Sequence, residues 1–144
     1  MASRLAPIKS YEQIKSAPDR LDDPHYRSAI RDLPCCATWT KSNIDAHHVR
    51  IGLFRGAKKP DDDMCVPLTH LMHVGAPAAL HEIGERNFWN NCGVDPIALA
   101  RDLWNLWMID KNAFQVNAIE AMKVHREMAV LRTRLGLKVF KEKI

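Results

Sequence analysis

The order of apolar and polar positions predicts a short β-rich centre with helices on either side of it. Asp23 and Pro24 begin an amphipathic segment with the capping and first-turn residues that helices favour. Residues 35–52, CCATWTKSNIDAHHVRIG, are rich in β-favouring residues and predict a first strand. The apolar stretch MCVPL at 64–68 predicts a second strand, which Pro67 confines to an edge or a strand end.

Three helices are predicted after the second strand. The first begins near Pro77 and runs through AALHEIGERNFW, and the second is IALARDLWNLWMI, which Asp95 and Pro96 open. Helical spacing gives the second helix an apolar face: Ile97, Ala100, Leu103, Trp104 and Trp107. The last helix runs from about residue 112 to Leu135, before Gly136. Its partial apolar stripe contains Phe114, Ala118, Met122, Met128, Leu131 and Leu135.

These elements predict an α+β fold in which helices wrap a small two-strand centre and the C-terminal helix is long. The length of 144 residues and the apolar share of 47% fit one domain with a real core. We expect residues 1–20 to form an irregular basic arm and residues 21–110 to form the main body. Residues 111–144, the last helix and a basic tail, are expected to belong to the same domain.

The net charge of +4 is distributed unevenly along the chain. Residues 1–59 have eleven Lys and Arg against six Asp and Glu, residues 60–110 have two against eight, and residues 111–144 have eight against three. This pattern fits either a polyanion bound around an acidic metal centre or ordinary surface charge. Neither a membrane span of about 20 apolar residues nor a signal peptide is apparent, so we expect a cytoplasmic protein without a membrane partner.

Candidate chemistry is concentrated in the predicted centre of the fold. His47 and His48 are adjacent on a strand, so their side chains point to opposite faces, and one can bind a metal while the other activates water. Asp62, His73 and His81 follow in the second strand region and the helix after it. Imidazole and carboxylate groups suit a divalent transition metal, and a carboxylate also suits Mg²⁺. The set predicts metal-assisted hydrolysis with a histidine base.

Five motifs within residues 24–107 carry a family resemblance: AIRDLPC, AHHVRIG, KKPDDDMCVPL, LHEIGERNFW and GVDPIALARDLW. In this order they resemble the HNH (His-Me finger) endonucleases, in the compact phage type related to RecA-dependent Ref-like nucleases. The resemblance implies a ββα-metal hairpin wrapped by helices and metal-dependent hydrolysis of DNA phosphodiester bonds, leaving 3′-hydroxyl and 5′-phosphate ends. It also implies DNA as partner, a host or phage recombination protein as a further partner, and a role in DNA recombination or processing in the cytoplasm of a bacterial host.

The resemblance also implies a role for each candidate residue. His48 corresponds to the general base, and Asp62 corresponds to an acidic position that orients the base or tunes the metal; these two are the candidate catalytic residues. His47, His73 and His81 correspond to the ligands of one divalent ion. Mg²⁺ or Mn²⁺ is expected there, with Zn²⁺ or Ni²⁺ as alternatives.

Two departures from the family pattern affect metal binding. The four ligand positions of the structural zinc found in relatives contain Cys35, Thr38, Thr69 and Met72, so we expect that this zinc is absent. A rearranged zinc site is the alternative: Cys35, Cys36, Cys65 and His70. His73 and His81 are eight residues apart where relatives usually have four, which along one helix is about 12 Å. They can share an ion only if the chain turns between them.

The loop after the first strand is basic, with Arg50, Arg55, Lys58 and Lys59 as candidate phosphate contacts. A solvated loop explains the same residues. Two other functions stay open: a catalytically degenerate HNH-fold nucleic-acid-binding protein, and a phage accessory protein that acts through protein contacts of its long C-terminal helix.

Overall fold

The computed structural model describes residues 21–51 and 61–141, and the described chain has an α+β architecture with an antiparallel two-stranded sheet. A 3₁₀ turn, Asp62–Met64, precedes the second strand, and a π-helical turn, Leu71–Gly75, follows it. The helices and strands are α1 (Pro24–Arg31), β1 (Ile44–His48), β2 (Cys65–Thr69), α2 (Leu80–Ile83), α3 (Glu85–Cys92), α4 (Pro96–Ile109) and α5 (Phe114–Leu135).

The predicted starts of α1 and α4 are confirmed, because both helices have a side-chain cap followed by proline. A carboxylate oxygen of Asp23 accepts the N–H of Tyr26, and one of Asp95 accepts the N–H groups of Ile97 and Ala98. Each cap satisfies donors that the first turn of a helix leaves without a partner. The Asp23 cap also accepts a bond from the indole N–H of Trp107, which ties α1 to α4.

The hairpin places the histidine pair opposite the start of β2. His47 pairs with Val66 and His48 pairs with Cys65. All five residues of β2 are buried, and Pro67 is tolerated in the strand because β2 pairs with β1 alone within residues 21–51 and 61–141. The first strand is shorter than the stretch that predicted it, since Asn43 has a φ of 57° and extended backbone begins only after it.

The single helix predicted from Pro77 is wrong, because the structure has two helices there. α2 begins at Leu80, and Gly84 separates α2 from α3 with φ 87° and ψ 153°. This conformation is readily available only to glycine. His81 in α2 and Glu85 at the start of α3 both line the cavity of the candidate site.

The apolar faces of the two long helices agree with the predictions in part. In α4, Ala100, Leu103 and Trp107 are buried as predicted, whereas Ile97 and Trp104 are half-buried at the edge. Trp107 packs on Tyr26 and Phe114 with ring centroids 5.5 and 5.4 Å away, and this aromatic cluster joins α1, α4 and α5.

The stripe predicted for α5 is correct only in its first half. Phe114, Ala118 and Met122 are buried, but Met128, Leu131 and Leu135 are 44%, 52% and 61% exposed. The buried face continues through His125 and Ala129 instead, which lie three and seven residues after Met122. His125 stays in this face because its Nε2 atom bonds the Asp102 carboxylate on α4 at 2.7 Å. Across residues 21–51 and 61–141, none of the helices has the length and apolarity needed to cross a membrane.

Candidate active site and metal centre

The four histidines singled out by the sequence line one open cavity of about 510 Å³. β1 contributes His47 and His48, the π-helical turn contributes His73, and α2 contributes His81. The rest of the wall contains Arg27, Arg31, Ala46, Arg50, Leu80, Gly84 and Glu85. Clefts of this size with convergent polar groups are typical of binding or catalytic sites.

The two adjacent histidines bond different carboxylates. The Nε2 atom of His47 lies 3.3 Å from Oε2 of Glu85, and the Nε2 atom of His48 lies 2.7 Å from Oδ1 of Asp62. Neighbouring residues of a strand point to opposite faces, which separates the two rings. The two imidazoles therefore have different environments and can do different work.

His48 and Asp62 form a tight buried pair. Asp62 is fully buried, and it also accepts bonds from the backbone N–H of Asp23 and from the Arg27 guanidinium. Burial alone raises the pKa of Asp62, but the hydrogen bonds from His48, Asp23 and Arg27 outweigh it and hold this pKa below its usual range. An ionised carboxylate only accepts, so Nε2 of His48 donates its proton to Asp62 in this contact.

His73 and His81 meet in spite of their eight-residue separation. Their Nε2 atoms are 3.0 Å apart. The π-helical turn of His73 ends at Gly75, and α2 returns the chain so that His81 faces it. Asp45 accepts the Nδ1–H of His73 at 3.0 Å, which orients the ring so that Nε2 of His73 faces His81.

Asp45 is therefore the residue that fixes the orientation of His73. It also bonds Nδ1 of His70 at 2.9 Å. Burial alone raises the pKa of Asp45, but the bonds from His73 and His70 lower it below its usual value. Asp45 is ionised at neutral pH and holds the tautomer in which Nε2 of His73 can bind a metal.

His47 lies beside this pair, but its nitrogen atoms do not reach it closely. The ring centroids of His47 and His73 are 4.9 Å apart. No choice of one nitrogen from each ring places His47, His73 and His81 all within 4.8 Å of one another. Burial lowers the pKa of His47, in spite of the opposing bond to Glu85, so the ring is neutral at pH 7.

Glu85 anchors the end of β1 to α3. Its carboxylate accepts the backbone N–H groups of Arg50 and Ile51, at 2.8 and 3.1 Å, and the indole N–H of Trp89 at 2.9 Å. Burial raises its pKa, but the bonds from His47 and Trp89 bring this pKa below the usual value. Glu85 positions His47 as Asp62 positions His48.

Within the described ranges, three potential ligands do meet the distance expected around one metal ion. One donor atom each of His48, Asp62 and Cys65 lies within 4.8 Å of the other two. The group is largely buried. It could hold a metal ion, and it differs from the His47, His73 and His81 set predicted from the sequence.

Two arginines that sequence reasoning missed face the cavity from α1. Arg27 and Arg31 are one turn apart on a helix whose opposite face buries Tyr26 and Ile30. Amphipathic spacing puts both on the polar face of α1, but the sequence did not indicate that this face turns toward the hairpin. Arg50 lines the same cavity. The other predicted basic residues, Arg55, Lys58 and Lys59, lie outside the described residues.

The four positions at which the sequence resemblance places a structural zinc do not converge on a metal site in the part of the chain described. Thr69 uses its hydroxyl to accept the N–H of Met72, and Thr38 pairs with Thr40 at 2.9 Å. The alternative zinc set is not brought within ligand distance either: Cys35, Cys36, Cys65 and His70. His70 instead is exposed and bonds Asp45.

Comparison with protein-family models, with curated proteins and with solved structures finds no match to this chain. The geometry and chemistry of the cavity therefore provide the basis for a functional proposal.

Proposed function

We propose that this protein is a metal-dependent DNA endonuclease of the HNH type, which hydrolyses phosphodiester bonds with His48 as the general base. The observation that carries the proposal is the arrangement around the cavity. One wall of the cavity contains His48, which is bonded to the buried carboxylate of Asp62. The same cavity is lined by two imidazoles in contact with each other, those of His73 and His81. This is what hydrolysis of a phosphodiester requires: a base for water, and a cation near the leaving oxygen.

The donor set at His73 and His81 fits a divalent ion. The Nε2 atoms of His73 and His81 meet at hydrogen-bond distance, 3.0 Å, and both rings line the cavity, so the two imidazoles could bind one ion in place of this hydrogen bond. His47 is the third candidate ligand, and its ring, whose centroid lies 4.9 Å from that of His73, would have to move toward His73 to join the set. When bound, the ion supplies Lewis-acid stabilisation of charge on the phosphate and on the leaving oxygen.

His48 is suited to accept a proton from water. Asp62 holds the Nε2–H, so the basic nitrogen is Nδ1, and the buried carboxylate stabilises the imidazolium formed when Nδ1 takes the proton. Arg27 keeps Asp62 ionised from the other side. Asp62 is thus a positioning residue, since it acts on water only through His48.

The arginines explain how a polyanion is held over this site. Arg27, Arg31 and Arg50 surround the histidines, and guanidinium groups bind phosphate oxygens with two parallel hydrogen bonds. Their contacts would fix the position of the DNA backbone without reading its sequence. Arg55, Lys58 and Lys59 extend the same charge along the chain, in the segment after β1.

A plasmid-nicking assay tests the proposal. Supercoiled plasmid is incubated with wild-type protein in Mg²⁺, in Mn²⁺ and in EDTA, beside His48→Ala and His125→Ala. Wild type and His125→Ala are expected to cleave with metal only, since His125 lies away from the cavity and bonds Asp102. His48→Ala should lose about 10²–10⁴-fold in rate, the range for a lost general base.

The outcomes separate the alternative functions. DNA binding without cleavage in either metal would contradict the nuclease and favour the catalytically degenerate nucleic-acid-binding protein. Neither binding nor cleavage would favour a protein that acts through protein contacts. Equal cleavage by wild type and His48→Ala would remove His48 from the mechanism.

A further inference from the structure

We propose that His48, Asp62 and Cys65 form a second metal site, which is selective for a soft divalent cation such as Zn²⁺. When an ion binds there, His48 can no longer act as a general base. One ligand atom of each residue lies within 4.8 Å of the others. His48 and Cys65 are directly opposite in the hairpin, so their side chains share a face of the sheet. Asp62 reaches that face from the 3₁₀ turn immediately before β2.

The donor types distinguish this site from the cluster of His47, His73 and His81. Nitrogen, carboxylate oxygen and thiolate sulfur together are typical zinc ligands, whereas Mg²⁺ avoids sulfur. Asp62 and Cys65 are both fully buried. A divalent cation bound to one carboxylate, one thiolate and a neutral imidazole has no net charge, which reduces the cost of holding it in a buried place.

The contact between His48 and Asp62 has to open slightly for both to bind one ion. The distance between Nε2 of His48 and Oδ1 of Asp62 is 2.7 Å, while two such atoms bound tetrahedrally to zinc lie about 3.3 Å apart. The pair must therefore open by about 0.6 Å. Arg27 bonds the other oxygen of Asp62 and can keep that bond, and His48 lines the open cavity through which an ion arrives.

The proton balance explains why the ion inhibits. Zinc takes the Nε2 lone pair of His48, so the single proton of the neutral ring moves from Nε2 to Nδ1. Nδ1 then donates and no longer accepts a proton from water. The Cys65 thiol releases one proton to solvent as the thiolate binds. Nothing is oxidised, and a chelator reverses the whole process.

Cobalt binding tests the site without reference to catalysis. Chelator-washed full-length protein is titrated with Co²⁺ in excess Mg²⁺, and the thiolate-to-cobalt charge-transfer band in the near ultraviolet is followed. Wild type, His73→Ala and Cys92→Ala should show the band, because none of these changes touches the Cys65 thiolate. Cys65→Ala and Cys65→Ser should lose it, and their affinity for Zn²⁺ should fall about 100-fold, at least as much as for a lost outer-shell partner. Circular dichroism checks that each variant is folded.

Absence of the band in wild type, or its persistence in both folded Cys65 variants, would overturn the site.

The inhibitory effect rests on the proposed nuclease function, so it is tested in a separate experiment. With Mg²⁺ present, Zn²⁺ should inhibit wild-type cleavage, and Cys65→Ala should need at least 10-fold more Zn²⁺ for the same inhibition. Equal inhibition of the two proteins would overturn the inhibitory role. If the wild type never cleaves DNA, the proposed function fails while the cobalt band still decides the site.

Discussion

Replacing Asp62 by Asn separates the structural role of this carboxylate from its role at His48. The side chain keeps its shape but loses its charge. Among the described residues, Asp62 accepts from His48, the Asp23 N–H and Arg27, and it has no exposed surface. An amide has one acceptor oxygen and turns its NH₂ group toward one of these donors. At least one charge-assisted bond is therefore lost, and Arg27 loses its buried ion-pair partner.

The expected cost follows from those contacts. A hydrogen bond to a charged group contributes about 1.5–3 kcal/mol, so Asp62→Asn should reduce the free energy of unfolding by about 2–3 kcal/mol at pH 7. Asp61→Asn is the matched control, because the Asp61 carboxylate accepts the exposed Leu21 N–H at 3.0 Å. That change should cost less than about 1 kcal/mol.

The pH dependence gives the sign of the effect. The pKa of Asp62 is lower in the folded chain than the ordinary value of about 3.9. Its stabilisation is therefore fully present above about pH 4 and is lost as the pH falls through the folded pKa. Urea unfolding followed by circular dichroism at pH 7 and pH 3 should show the difference between wild type and Asp62→Asn shrinking in acid. A constant difference, or a cost equal to that of Asp61→Asn, would refute the reasoning.

Three further predictions address the metal, the DNA and the fold. Asp45→Asn should weaken divalent-metal binding about 10–100-fold in calorimetry, since it frees the tautomer of His73, while His70→Ala should not; equal losses would contradict the role of Asp45. Changing Lys58 and Lys59 together to Ala should lower the slope of log affinity against log salt by about two, and an unchanged slope would place the DNA elsewhere. Gly93→Ala should lower the free energy of unfolding in urea by more than about 1 kcal/mol, because Gly93 has a φ of 79° and a Cβ there would lie 2.6 Å from a carbonyl oxygen of α5. An unchanged free energy of unfolding would contradict this.

The sequence predicted the elements better than it predicted their relative placement. Asp23 and Asp95 each precede a proline, and this local signal was enough to locate two helix starts. The break at Gly84 was missed because a lone glycine also occurs within helices, and the residue pattern does not reveal its φ of 87°. The exposed half of the α5 stripe shows the same limit, since periodicity gives a face but not the neighbour that covers it.

The candidate site divides in a similar way. The histidines were identified because imidazole is a common metal ligand and general base. No sequence motif assigned a role to Asp45 or Glu85. Their roles depend on distances to residues 28 and 38 positions away. Arg27 and Arg31 were missed because the polar face of a helix is ordinarily solvated, and the sequence does not show that this face lines a cavity.

Three of the cavity histidines, those on β1 and in the π-helical turn, each bond a different carboxylate. His47 bonds Glu85, His48 bonds Asp62 and His73 bonds Asp45. Pairing alone does not indicate a functional site, since His125 has the same arrangement with Asp102 far from the cavity. What distinguishes the three pairs is that their histidines line one cavity together with Glu85, and that the pKa of each of the three carboxyl groups lies below its usual value. Ionised carboxylates bonded to these imidazoles favour a divalent cation at the cavity, and the nearby arginines favour a phosphate beside it.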